Sequence, residues 1–270
     1  MKIVRFSVVV ILLLLSLTSP SVATTITGMG KSDVGTSVQF SADMSITGNN
    51  LIIILNNTSS VSSTAYNDAL SSFFFDIVQN GIRPTLTLTS ATGTVYKGVK
   101  SRNDTLYKSN YNLDALTNPG TWQYKTFNAN DFIASTGSAY GFGLGTTGNN
   151  SLPSGSPLTG FPGTFKGKLV GNAEYSIYKG DETTNSLNNR LLVGGPATFT
   201  FTISGGTFTN ADIQDTAVFG LGSAPDSLLI VPPPKALSQV PSVPEPATLI
   251  LFGTGIMVGA GMLRRAGKKR

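Results

Sequence analysis

Val38-Gln39-Phe40-Ser41-Ala42-Asp43-Met44-Ser45-Ile46 alternates apolar and polar residues at every step. A period of two separates an apolar from a polar face only in extended chain, so the stretch reads as a half-buried strand. Gly48-Asn49-Asn50 turns it into Leu51-Ile52-Ile53-Ile54-Leu55, a short β-branched run that reads as a second strand. A polar loop over 56–64 leads to 72–78, where Phe73, Phe74 and Phe75 make an apolar strand that ends at Asn80-Gly81. Residues 85–90 alternate Leu with Thr, 91–93 (Ala-Thr-Gly) are expected to turn, and 94–99 to return as a separate strand. Further strands are expected at 121–127, 139–144, 164–170, 173–178, 197–204 and 217–221. No long window sustains a 3.6-residue apolar period, so helix is a minor element. The expected fold is all-β: a single β-sandwich, jelly-roll or immunoglobulin-like, over residues 24–231.

Charge and composition narrow the chemistry. The formal charge is +5, but Lys2, Arg5, Arg264, Arg265, Lys268, Lys269 and Arg270 place seven positive charges at the two ends. Residues 24–243 carry twelve Lys and Arg against eleven Asp plus Glu174 and Glu182, a balance near −1. No basic face is left for nucleic acid, which is not expected as a partner. The chain has no Cys and no His. The core must therefore hold without disulfides, and Ser-His-Asp triads and imidazole metal sites are excluded. No catalytic residue, metal site or cofactor is expected, and the chain reads as a non-enzyme.

The two ends read as targeting segments. Lys2 and Arg5 precede an apolar run over 8–15, and Ser21-Val22-Ala23 supplies small residues at −3 and −1. This is the pattern of a signal peptide over 1–23, with cleavage expected between Ala23 and Thr24. Residues 232–243, opening Pro232-Pro233-Pro234, read as a stiff extended linker. Pro244-Glu245-Pro246 follows, then seventeen uncharged residues, 247–263, and then the basic cluster Arg264, Arg265, Lys268, Lys269, Arg270. At 1.5 Å per residue that run makes roughly 26 Å of helix, enough to cross a hydrocarbon core. The basic cluster acts as a membrane stop and stays in the cytoplasm.

The order Pro-Glu-Pro, Gly-rich apolar helix and terminal Arg/Lys cluster over 243–270 resembles the PEP-CTERM sorting signal. The resemblance implies processing by an exosortase, a membrane-embedded cysteine protease or transpeptidase of bacteria that make exopolysaccharide. It implies an exported protein, anchored in the inner membrane by its C-terminal helix before processing, then placed at the cell surface or in the extracellular matrix. The middle of the chain resembles, over shorter motifs, the exosortase-dependent surface protein families. The carrying residues are Asn50-Leu51 through Leu55-Asn56-Asn57-Thr58-Ser59, then Ala69-Leu70 to Phe75-Asp76, and Phe219-Gly220-Leu221-Gly222 as a closing strand. That resemblance implies no catalytic activity.

Several motifs have a second reading. Gly143-Leu144-Gly145-Thr146-Thr147-Gly148 satisfies GxGxxG, but Asn149 to Pro153 is loop where a nucleotide fold needs a helix. Gly141, Gly143 and Gly145 are expected on one strand face, allowing a neighbouring layer to approach. The recurrence of Phe-Gly-Leu-Gly at 142–145 and 219–222 suggests two related strands. Gly255 and Gly259 fit a helix-pairing GxxxG. Asp181-Glu182 and Asp212 with Asp215 are the local acid pairs, read as solvated turn residues; loop carboxylates of this kind also suit calcium. Trp122 and Tyr124, with Phe127, Tyr107 and Tyr111 near them, fit either a core face or a platform for sugar rings, which would make exopolysaccharide a ligand. Asn56, Asn57, Asn103 and Asn149 head Asn-x-Ser/Thr triplets, read as accidents of composition. The function expected is structural or adhesive, with a carbohydrate-binding module as the alternative.

Overall fold

The computed structural model describes residues 23–32, 34–63, 65, 68–98, 105–118, 121–127, 132–133, 138–146, 174–180, 190–222 and 229–230. All of them belong to one unit, residues 1–233. Residues 1–22 of the signal peptide, the linker 232–243, the sorting motif, the helix 247–263 and the expected strand 164–170 lie outside the described residues.

The opening hairpin forms as its alternation requires. β1 (Thr24–Lys31) pairs antiparallel with β2 (Ser37–Thr47), which pairs antiparallel with β3 (Asn50–Asn57). Val38, Phe40, Ala42, Met44 and Ile46 of β2 are all buried, as are Leu51, Ile53 and Leu55 of β3. Gly48, at φ +57°, takes the first corner of the two-residue turn between Thr47 and Asn50, where a side chain would be strained.

Next in the chain come β4 (Leu70–Phe75), β5 (Thr85–Lys97), β6 (Thr105–Asn112) and β7 (Gln123–Thr126). A small separate hairpin follows, β8 (Phe132–Ile133) with β9 (Ser138–Ala139). β10 (Phe142–Gly145), β11 (Ile177–Tyr178), β12 (Leu191–Ser204), β13 (Val218–Leu221) and β14 (Leu229–Ile230) complete the set. A 3-10 turn forms over Asn210–Asp212, and Asp68 is also in 3-10 conformation.

Twelve of these strands join one open, mixed sheet, so the all-β class holds. β12 is its spine. Along 197–202 it lies between β3 and β5, and at 193–194 it pairs parallel with β11. One arm therefore runs β6–β5–β12–β3–β2–β1. The other runs β7–β10–β4–β13–β14, with β11 joining the two through Ile177, which faces Val193 on β12 and Leu70 on β4. Aromatic rings of the two arms meet: Phe40 and Phe219 lie 6.0 Å apart between centroids, Tyr124 and Phe201 5.0 Å.

β4 explains the consecutive phenylalanines. In a single-faced strand Phe74 would point at solvent, yet all six residues of β4 are buried. Phe73 and Phe75 enter the core shared by the arms, and Phe74 is covered on the other face by Phe127, 6.0 Å away. The two Phe-Gly-Leu-Gly segments flank this strand. β10 pairs with one edge, Phe142 opposite Phe75 and Gly143 opposite Phe74; β13 pairs with the other, Phe219 opposite Phe73. The expected close approach at the glycines is present: a Cβ on Gly143 would stand 2.7 Å from Phe127 and 2.9 Å from Phe74.

Two expectations need correction. Residues 85–99 do not fold back at 91–93; β5 runs unbroken from Thr85 to Lys97 because β12 is long enough to pair with all of it. Gly93 is there for packing, since a Cβ would stand 2.9 Å from Leu113 and 3.0 Å from Val193. The irregularity falls instead on β12, where the register shifts between Val193 and Ala197 around Gly195 at φ +83°. Strands β1, β6 and β14 were not anticipated. In β1 two of the inward positions are Gly28 and Gly30, seated against Phe219 and Ile230, so its apolar signal is carried by Ile26 alone.

Gly143→Val tests the packing around β4. It should lower stability by about 1–3 kcal/mol through overpacking against Phe74 and Phe127, read as a lower denaturant midpoint with an unchanged slope.

Candidate functional site

The polar loop after β3 is pinned by one side chain. Asn57 is buried, and its Nδ2 donates to the carbonyls of Asp68 (3.2 Å) and Ile177 (3.4 Å). Its Oδ1 accepts from the Ser59 N–H (3.2 Å) and hydroxyl (2.6 Å), and the Ser59 hydroxyl oxygen accepts the Gln39 N–H at 2.9 Å. The Asn-Thr-Ser motif thus ties β2, β3, β11 and the approach to β4 together. An amide so engaged is no glycan acceptor. Asn56 beside it lines a cleft of about 440 Å3 with Tyr96, Tyr178, Lys179 and Pro196. Asn103 and Asn149 lie outside the described residues.

At the other end of β4 an ion pair closes the strand. The Arg83 guanidinium donates to Asp76 through Nε (2.8 and 3.0 Å) and Nη2 (2.6 Å), and Asp76 is buried. The hydrogen bond to Asp76 raises the Arg83 pKa above its ordinary value, against the opposing effect of burial. Gly141 makes room for the pair, since a Cβ there would stand 2.6 Å from Arg83 Nε. This pair was missed in the sequence because Asp76 and Arg83, at the two ends of the connection from β4 to β5, carry no motif.

The acid pairs resolve differently. Asp212 accepts from the Thr209 N–H (2.8 Å), the Thr209 hydroxyl (3.0 Å) and Gln79 Nε2 (3.2 Å), which fixes the 3-10 turn. Asp215 is exposed, and Asp181 and Glu182 lie outside the described residues. No three acidic groups converge among the described residues. Gly143 and Gly145 sit in β10, and Thr146 beyond them extends the strand contacts through its N–H to the Ser71 carbonyl. The GxGxxG match therefore opens no helix at those glycines; Gly148 lies outside the described residues.

Trp122 and Tyr124 do not form a platform. Trp122 is fully buried, stacks obliquely on Phe199 at 5.2 Å, and donates its indole N–H to the Tyr175 carbonyl at 2.8 Å. It is a core residue. Tyr124 is half-buried, its ring packed between Phe142 and Phe201, and its hydroxyl is buried with no hydrogen-bond partner among the described residues. Burial pushes that phenol well above its ordinary pKa, so it stays neutral. Tyr111 stacks on Tyr175 (5.7 Å) beside the exposed Tyr107.

The outward face of the β1–β2–β3–β12–β5 arm carries a pattern of its own. Register aligns Thr25–Asp43–Ile54–Thr198–Thr92, then Ser45–Ile52–Thr200–Ser90, then Thr47–Asn50–Thr202–Thr87. Asp43 is the one charge in these rows, and its carboxylate accepts from the Thr25 hydroxyl at 2.6 Å. Apart from Asp43, these rows are an array of hydroxyls, methyls and an amide. The alternating threonines of 85–89 and 198–202 are its sequence signal, readable only once the strands are known to be neighbours.

Comparison with known families adds the decisive observation at the other end of the chain: the description of the PEP-CTERM protein-sorting motif matches residues 242–266. This is a PEP-CTERM sorting domain-containing protein. The match includes Pro244, Glu245 and Pro246 and the first two residues of the basic cluster, Arg264 and Arg265. The motif makes the chain an exosortase target, exported toward the cell surface. No curated protein and no solved structure matches the chain.

Two substitutions test the structural assignments. Asn57→Ala should cost about 1–3 kcal/mol, because it strands buried carbonyls, measured by chemical denaturation. Arg83→Ala should cost about 2 kcal/mol by leaving the Asp76 carboxylate buried without its charged donor, with Arg83→Lys recovering only part of it.

Proposed function

We propose that this chain is a structural or adhesive protein of the bacterial surface or extracellular matrix, without catalytic activity. The sorting motif carries the reading, since it accounts for the C-terminal segment as an address rather than a working part. In this reading the signal peptide is removed between Ala23 and Thr24. The helix 247–263 anchors the protein in the inner membrane until the exosortase cuts it, and Arg264, Arg265, Lys268, Lys269 and Arg270 hold the tail in the cytoplasm. The start of β1 at Thr24, paired with Met44, supports an ordered domain immediately after that cut.

The working part is the β domain, whose two arms pack as a sandwich through the rings of Phe40, Phe201, Phe219 and Tyr124. A non-enzymatic role is supported by the use of Asp76 and Asp212 in internal bonds. A second reading, a carbohydrate-binding module acting on exopolysaccharide, is favoured by the neutral hydroxyl face, because a neutral glycan offers no charge for a charged face to meet.

Deleting the exosortase of the host should leave a larger, membrane-bound species. In the parent strain the surface form should begin at Thr24 and lack 247–270, as read by intact mass and N-terminal sequencing. Equal size and location in the two strains would refute the processing.

A further inference from the structure

Four strands end the large sheet among the described residues: β1, β6, β7 and β14, each paired with one neighbour. An edge strand exposes unpaired N–H and C=O groups along its outer side, a template for a further strand. Natural edges are blunted by shortness, by bulges or by an inserted charge. Three of these four are blunted. β7 has four residues, Lys125 among them, and β14 has two. β6 is longer, but its register on β5 shifts twice, Lys108 sits near its middle, and Asn110 leaves the extended region at φ +49°.

β1 has none of these devices. It runs eight residues, Thr24–Lys31, and pairs with β2 over its whole length without a register shift. It holds no proline, and no side chain from Thr24 to Gly30 is charged. Its inward side is filled, since Ile26 is buried and Gly28 and Gly30 lie against Phe219 and Ile230. Thr25, Thr27 and Met29 point outward and are exposed. Among the described residues no backbone hydrogen bond engages β1 except those to β2.

We infer that the free edge of β1 pairs antiparallel with the same edge of a second copy, about a two-fold axis. The strand is its own complement. Residues directly opposite in an antiparallel pair point to the same face. A two-fold axis through Thr27 or Gly28 therefore keeps the inward residues of both copies on one side, and Thr25, Thr27 and Met29 on the other. Thr27 meets its counterpart in the first register and Met29 in the second. Neither register sets one charged side chain against another, because Lys31 is the strand's single charge and lies at its end. The balance near −1 over 24–243 adds no long-range repulsion between copies. The outward row that starts at Thr25 continues into the partner's row, which doubles the hydroxyl face. An eight-residue ladder is a small interface, so the pairing needs a high local concentration. The inference goes beyond the adhesive reading and does not depend on it.

The test uses the full chain in detergent micelles, with the protein mass per particle read by light scattering over a wide range of concentration. Particles with two copies should accumulate as concentration rises. Thr27→Lys combined with Met29→Lys sets lysine against lysine in both registers. It should weaken the association roughly 10-fold or more, because like charges juxtaposed across an interface are strongly unfavourable. Both positions are exposed, so the fold is retained. Thr27→Glu combined with Met29→Glu should behave alike, and an equimolar mixture of the two variants should regain the parent mass. One copy per particle at every concentration would overturn the inference. So would a lysine variant that associates like the parent, which would assign the contact to another segment such as Gly255–Gly259, or a mixture that stays monomeric. Hydrogen exchange on the unaltered chain needs no variant: the amides of 24–31 should gain protection as concentration rises. Protection independent of concentration would mean that a segment of the same chain covers the edge, and would also overturn the pairing.

Discussion

A strand of three consecutive phenylalanines with no face left for water is the constraint on which this domain depends. β4 can exist only if both faces and both edges are covered, and the chain meets each requirement with a separate segment. β10 and β13 cover the edges, Phe127 covers Phe74, the Phe219 and Phe142 rings cover Phe73 and Phe75, and Phe40 packs on Phe219. Aromatic side chains bury about 150–250 Å2 each, so this cluster supplies a large apolar area in a chain that has no disulfide to draw on. The glycines follow from the same demand. With rings on both sides of β4, the neighbouring strands can approach only where Cβ is missing, at Gly143 beside Phe74 and at Gly28 above Phe219.

How much of this was legible follows from range. The 38–46 strand, its turn at Gly48-Asn49 and the β3 strand were readable because the alternation and the turn chemistry are local. The all-β class followed from many such short signals. What failed was the reading of 85–99 as a hairpin. Ala-Thr-Gly has turn character by itself, but β12 offers fourteen residues of partner, and a continuous ladder forms more bonds than a hairpin of two short strands. β1 was invisible for a related reason: its inward glycines make sense only once Phe219 and Ile230 are known to lie against them. The acid pair 212 and 215 looked solvated in sequence, whereas Asp212 turned out to be the anchor of its own turn, through Thr209 and the distant Gln79.

Charge is distributed by task along this chain. In the proposed reading the positive charges of the tail act as a membrane stop, and the outward rows of β12 and β5 hold hydroxyls where most soluble sheets carry Lys and Glu. A neutral, hydroxyl-rich face loses little when it is dried by contact with another neutral surface, because no ion must be desolvated. Electrostatic steering is correspondingly weak, so attachment through such a face depends on local concentration. If the protein is retained in a matrix, as proposed, that concentration is supplied by its sorting motif rather than by its surface.

The pair Trp122 and Tyr124 shows why a period of two cannot separate a core from a binding face. Both residues point the same way, as the sequence implied, and both touch the core. They differ at their polar ends. The indole N–H of Trp122 reaches the Tyr175 carbonyl and is satisfied inside the fold, so nothing remains for a ligand to do there. The Tyr124 hydroxyl reaches no acceptor among the described residues, although its ring is as firmly packed against Phe201 and Phe142. In a core selected only for stability, phenylalanine would fill the same space without that cost. The oxygen at position 124 is therefore the one feature of this aromatic pair that packing does not account for.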